Sequence, residues 1–258
     1  MNVPIVSVGF AVILFAGIVF LLEFGRSTGK RLLAKDPDSS KVRGIPAIEG
    51  AIYALLGLLI AFTFSGAGER FDSRRHLIIE EANDIGTAYL RLDLLSPSIQ
   101  PELKSLFRKY LEARLDAYRK IPDLKAAMKG IQEANRIQGE IWTKAVAGCQ
   151  QASPPCNILL LPSLNEMFDI ANTRLWITKI HPPLVVFVML FSFGLICAFL
   201  AGLAMADAKG HNWVYSLGFA LVLAGTIYVI LDMEFPRSGF IRVAAMDQAL
   251  EQVLQDMK

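Results

Sequence analysis

No proline interrupts residues 47–95, and that single fact constrains the fold more than any other. The stretch opens at Pro46 as an apolar run, residues 46–65, with Glu49 as its one charge. It then passes into a charged amphipathic segment, residues 69–95. Small residues recur in the run at Gly50, Ala54, Gly57, Ala61, Ser65 and Gly68. Spacings of three and four put all six on one face of a helix. Small side chains on one face let helix backbones approach closely inside a bilayer. Past Gly68 the apolar positions Phe71, Ile78, Ala82, Ile85, Tyr89 and Leu92 keep a helical period while charges occupy the other faces. The pattern predicts one helix of roughly 45 residues, about 70 Å long, that leaves a membrane and continues into water.

Three further runs are as free of charge: residues 3–22, 184–206 and 213–231. Each approaches the ~20 residues needed to cross ~30 Å of hydrocarbon. Four such runs in 258 residues are hard to bury as core helices, so four membrane spans and contact with a lipid bilayer are expected. The first run has no basic residue before it and no small-x-small cleavage site after it, which favours a retained span over a signal peptide. Residues 23–44 read as a loop, with a turn at Asp36-Pro37-Asp38-Ser39-Ser40.

Residues 96–183 hold no further span and divide into three helices. Ser98 is a candidate N-cap with Pro101 in the first turn; Leu103, Phe107, Tyr110, Leu111 and Leu115 follow as an apolar face. Pro122 opens the second helix, with Leu124, Met128, Ile131, Ile137, Ile141 and Val146 as its stripe. Residues 148–157 read as a loop. Ser163 and Glu166 match a capping box that opens the third helix, and His181-Pro182-Pro183 ends it. No alternation of period two persists, so no sheet is expected. After the fourth span, residues 244–257 form a short amphipathic tail. The expected fold is all-α: spans in residues 1–65, a helical aqueous domain over 66–183 between the second and third spans, two spans in 184–231, and a tail over 232–258.

A net charge of +2 gives no reason to expect nucleic acid as a partner. The cysteines (Cys149, Cys156, Cys197) and histidines (His76, His181, His211) show no metal-ligand spacing and no nucleophile–base arrangement. There is no P-loop and no GxGxxG. Neither an enzyme, a metal site nor a cofactor is expected. Basic residues orient the chain poorly. One side collects seven (Arg26, Lys30, Arg31, Lys35, Lys41, Arg43, Lys209), the other eight near the membrane ends (Arg70, Arg74, Arg75, Arg174, Lys179, Arg237, Arg242, Lys258). A disulfide between Cys149 and Cys156 would place the helical domain in an oxidising compartment. Two free thiols would suit an intracellular loop, and spacing alone does not choose.

The run from Leu59 to Arg75 resembles the second-helix signature of bestrophins: Phe62, Arg70, Phe71 and Arg75 coincide with it, while Thr63 stands for an arginine and Asp72 for a tryptophan. Nearly the whole chain also resembles a bacterial family described as bestrophin-like, through Glu80–Leu92 and Ile230–Arg237. Bestrophins are pentameric ion channels with both termini and the helical insert in the cytoplasm. The resemblance therefore implies a homo-oligomer, most simply a pentamer, that passes inorganic ions, in a bacterial inner membrane. It also implies a narrow neck, which maps onto Ala54, Leu58 and Phe62. Ala54 is much smaller than the family residue. Asp232 and Glu234 do not reproduce the bestrophin calcium clasp, so no calcium activation is expected. Glu49, inside a span, is a candidate ion-pathway carboxylate or an interfacial one. Arg70 and Arg75 belong to a cluster (Glu69, Arg70, Asp72, Arg74, Arg75, Glu80, Glu81) that reads either as a vestibule or as a solvated helix face. Asp232 and Glu234 mark the exit of the fourth span. The rival to a channel is a non-conducting scaffold or sensor whose helical domain docks a partner.

Overall fold

The computed structural model describes residues 3–35, 46–121, 123–152, 154–207, 210, 213–237 and 239–257. Eight α-helices are found among them, joined by short 3-10 turns, and no strand: α1 Val3–Lys35, α2 Pro46–Arg91, α3 Gln100–Arg119, α4 Leu124–Gln150, α5 Pro155–Ile177, α6 Leu184–Ala204, α7 Trp213–Glu234 and α8 Gln248–Asp256. Four of them, α1, α2, α6 and α7, are long and apolar enough to cross a membrane. The chain forms two compact units, Met1–Glu69 with His181–Phe235 and Arg70–Ile180 with Pro236–Lys258. Helix α2 contributes to both.

In the first unit α1 and α6 run parallel. Phe10 meets Phe191 with ring centroids 4.6 Å apart, and further along Gly29 lies against Ala206. The approach is set by glycine. A Cβ on Gly202 would stand 2.0 Å from the Leu22 carbonyl oxygen, and one on Gly25 2.2 Å from that of Phe199. Around this seam Leu14, Ile18, Leu190, Cys197, Ala220, Leu223, Ile227 and Ile230 form a small apolar core, while Ile13, Phe20, Leu221 and Val222 stay exposed. That is the disposition of helices whose outer faces meet lipid. Helix α1 also corrects the sequence reading: it runs to Lys35, through residues assigned to a loop. Proline is absent from the extension, and Gly25 and Gly29, which lower helix propensity, are held in helix by their contact with α6. The turn expected at residues 36–40 lies outside the described residues.

The second unit is a helical bundle around Ile78, Ile85, Leu92, Leu103, Phe107, Tyr110, Leu111, Ile141, Leu160 and Leu164. Two local expectations fail here, and a third falls outside the described residues. Ser98 is not the cap of α3: Ile99 occupies that position without a side-chain bond, and Ser98 faces the Ser96 hydroxyl at 3.1 Å. Pro122 lies outside the described residues. The carboxylate of Asp123 caps α4, accepting from the amides of Lys125 and Ala126 at 3.1 Å each. Ser163 opens no helix. Helix α5 starts at Pro155, contains Pro162, and buries Ser163 with its hydroxyl donating to the Leu160 carbonyl at 2.8 Å. The stripe of α4 is also displaced: Leu124 and Met128 are exposed, and Ala127, Gly130, Ala134, Ile137, Ile141 and Ala145 point inward. Close approach of α3 explains the shift, since a Cβ on Gly130 would lie 2.8 Å from that of Ala117. At the α4–α5 corner Cys149 and Cys156 form a disulfide. The tail starts as a 3-10 turn, Ala244–Asp247, before α8, and its Leu250 and Met257 join the bundle core.

Candidate functional site

Helix α2 exists as one rod because nothing in residues 47–91 breaks it and because apolar residues recur at helical spacing along its length. Its membrane half is the least covered span of the protomer. Six per cent of its most apolar stretch is buried, against 22% in α1 and α6 and 33% in α7. The covered side is narrow, carried by Leu56 and Ala67. The three neck candidates lie on the open side at four-residue spacing: Ala54 exposed, Leu58 51% exposed and Phe62 69% exposed. The small residues Gly50, Ala54, Gly57, Ala61 and Ser65 run beside them, all exposed. A Cβ added at Gly50 or Gly57 would meet nothing within 4 Å. A Cβ added at Gly68, at the end of the same stripe, would lie 3.6 Å from the Met233 methyl. Thr63, where bestrophins carry an arginine, turns its hydroxyl back onto the Leu59 and Ile60 carbonyls.

The charged candidates divide between two settings. Glu49 is half-buried in the first turn of α2, and Arg70 is half-buried just past the apolar run. Arg75 donates to Asp72 at 3.2 Å and lies over the Phe71 ring, 5.7 Å from its centroid. Asp232 and Glu234 are both 1% exposed at the end of α7. Asp232 accepts from the Tyr228 hydroxyl at 3.0 Å. Glu234 faces Nδ1 of His181 at 3.4 Å, and the His181 ring lies 4.9 Å from that of Phe235. The histidine of the expected helix break is thus a partner of the α7 carboxylate, a pairing across 53 residues that leaves no local signal.

Part of the α2 exit cluster is a buried core. Glu81 is fully buried and accepts from Nε of Arg114 at 2.8 Å, while Arg174 reaches its other oxygen. The Tyr118 ring lies beneath three guanidinium groups, those of Arg114 (5.1 Å), Arg174 (4.3 Å) and Arg237 (4.6 Å). Arg237 pairs with Asp247 through two bonds of 2.9 and 3.0 Å. Burial pushes the Tyr118 hydroxyl above its ordinary range against the lowering charges of Arg114 and Arg237. Burial, and then the charge of Arg237, pull Arg174 below the usual arginine range. Arg74, 6% exposed, donates to the Ile180 carbonyl at 2.9 Å. These are stabilising contacts between helices of the bundle. The solvent face of α2 beyond Glu69 is left to Asp72, His76, Glu80, Asn83 and Thr87, all exposed. Asp84, beside them, has its carboxyl raised by burial first and then by Glu80 and Glu166.

The fold has solved counterparts. A bestrophin homologue from Klebsiella pneumoniae is 14% identical, with 95% of this chain and 97% of that one aligned at a TM-score of 0.72. A single-substitution variant of the same homologue is 13% identical, with 97% of each chain aligned at 0.74. At these identities the likeness speaks for the fold alone. No curated protein matches the chain. The family model of the bestrophin-like domain matches residues 9–246, nearly the full length, and the chain belongs to that family.

Proposed function

We propose that the chain is the subunit of a homo-oligomeric ion channel of a bacterial inner membrane, a pentamer in which α2 of each copy lines the central path. The observation that carries this reading is the uncovered membrane face of α2. At the α1–α6 seam glycine is spent on helix contacts, at Gly25, Gly29 and Gly202. Gly50 and Gly57 have open space where a Cβ would stand, which suits a neighbouring copy at close approach. Beside that stripe, Leu58 and Phe62 supply bulky apolar groups one turn apart. A ring of such side chains dewets and closes a pore when narrow and passes ions when it widens. Ala54 adds little constriction. Glu49, Arg70 and Arg75 then lie near the two ends of the apolar path, and Asp232 and Glu234 hold the α7 exit. Membership of a channel family argues against catalysis as the role. On the resemblance alone the helical unit faces the cytoplasm.

Planar-bilayer recording of the purified protein, with Phe62→Ala alongside, tests the assignment. Conduction that rises in the variant, together with a pentameric mass by native mass spectrometry, is expected. Unchanged current in Phe62→Ala removes that residue from the path. A dimer without conductance favours the scaffold.

A further inference from the structure

The cystine of the bundle bears on which side of the membrane it occupies. Cys149 is the penultimate residue of α4 and Cys156 the second of α5. Their Cα atoms are 5.4 Å apart, within the range of about 4–7 Å that a disulfide allows. The corner between them is held by its own backbone: the amide of Gln151 donates to the Gly148 carbonyl at 3.1 Å and that of Ala152 to Cys149 at 3.2 Å. Both cysteines are buried, 2% and 0% exposed, so the pair is shielded from exchange with solvent thiols once formed. Disulfides of this structural kind persist in oxidising compartments and are rare where glutathione and thioredoxin keep thiols reduced.

Basic residues supply an independent argument. Helices α1 and α6 run parallel, so the end of α1 and the α6–α7 connection share one membrane face. Nη2 of Arg26 accordingly donates to the Gly210 carbonyl at 2.7 Å. In sequence, the two segments that join spans there hold Arg26, Lys30, Arg31, Lys35, Lys41 and Arg43 in one and Lys209 in the other; Lys30, Arg31 and Lys35 are exposed. Orientation follows Lys and Arg in short loops, while long segments translocate largely regardless of charge. The stretch between the second and third spans is long, which discounts Arg70, Arg74, Arg75, Arg174 and Lys179; the short tail keeps Arg237, Arg242 and Lys258, and seven against three breaks the near tie in the raw counts.

We propose that the helical unit lies on the oxidising, extracytoplasmic side of the membrane and the basic α1–α2 and α6–α7 connections in the cytoplasm, the reverse of the sidedness that the bestrophin resemblance implies. Closing the cystine takes two thiols. Their two protons and two electrons pass to a protein disulfide of the extracytoplasmic thiol-oxidising machinery, which leaves as a dithiol. The sidedness holds whether or not the assembly conducts.

Thiol labelling in spheroplasts of a bacterial host decides it. With the disulfide intact, Cys197 is the one remaining native thiol, buried among the spans. A cysteine placed at exposed Lys129 of α4 or exposed Lys35 of α1 therefore reports its own compartment. A membrane-impermeant maleimide polymer is expected to shift Lys129→Cys by one polymer mass in intact spheroplasts and Lys35→Cys only after lysis. In the parent chain, thiols blocked at harvest and then reduced are expected to release Cys149 and Cys156 for labelling. Protection of Lys129→Cys with labelling of Lys35→Cys overturns the proposal, as does mixed labelling of both. Blocking of Cys149 and Cys156 before reduction overturns it too, because free thiols remove its first support.

Discussion

The two units solve the same problem, holding helices together, by different means. In the membrane unit the seam between α1 and α6 is made of absence: Gly25, Gly29 and Gly202 bring backbones into contact, and beyond a small core many large apolar side chains, Ile13, Phe20, Leu221 and Val222 among them, point outward. In the bundle the large side chains point inward, Phe107, Tyr110, Leu111, Ile141 and Leu160 among them, and a fully buried carboxylate, Glu81, joins α2 to α3 and α5 through Arg114 and Arg174. Lipid gives no advantage to burying Leu against Leu, so close contact decides there. Water rewards apolar burial by about 25 cal/mol per Å², so side-chain volume decides in the bundle. The contrast is not complete, because Gly130 of α4 meets Ala117 of α3 in the same manner as the membrane glycines.

The sharpest way to break the comparison is Gly202→Ala. The new methyl would have the Leu22 carbonyl oxygen at 2.0 Å, its carbon at 2.8 Å and the Arg26 amide nitrogen at 3.0 Å, all backbone. No rotamer relieves that, so loss of monodisperse protein in detergent is expected, while Gly50→Ala, in open space within the protomer, keeps the protomer folded. Near-normal melting of Gly202→Ala would show that the seam yields and that glycine is not its basis. Glu81→Gln comes next. It leaves Arg114 and Arg174, 3% and 5% exposed, without their shared anion, and stranding a buried charge costs about 3–5 kcal/mol. A marked fall in the denaturation midpoint of the bundle is expected. Replacing all three charges with apolar residues of similar volume should recover most of it, and failure to recover would mean the cluster positions the helices as well as neutralising them.

What could be read from the sequence follows the same division. The spans and the long α2 were legible because absence of charge and absence of proline are local properties. The extension of α1 to Lys35 was not, since Gly25 and Gly29 argue against helix until α6 is set against them. Ser163 and Glu166 spell a capping box whether a helix starts there or runs through from Pro155. Of the α2 cluster, Glu81 follows Ile78 by three and so belongs to the inward face, but its partners are distant in sequence, Arg114 by 33 residues. The spacing of Ala54, Leu58 and Phe62 was legible as a face of α2. That the protomer leaves this face open required the positions of α1, α6 and α7.

Smaller effects sharpen the aqueous side of the comparison. Asp123→Ala removes the carboxylate that accepts from Lys125 and Ala126 at the start of α4, and loss of such a cap costs about 1 kcal/mol. Chemical denaturation should register that as a lower midpoint with unchanged slope. A changed slope would mean that α4 had already frayed in the folded state.

Asp84→Asn carries the smallest effect and a defined sign. Burial first, and then Glu80 and Glu166, raise the Asp84 carboxyl above its ordinary value. A carboxyl raised by folding is disfavoured as an anion, so the penalty is complete above the raised value and absent below the unfolded one. The amide escapes it. At neutral pH the variant should be more stable, by no more than about 0.5 kcal/mol for a half-exposed position. The gain should shrink as pH falls through the raised value into the ordinary carboxylate range. Melting curves of both proteins across that range test the slope as well as the size. A difference that stays constant with pH would assign the gain to helix propensity instead, and would mean that the carboxylates lining this part of α2 do not repel one another in the folded bundle.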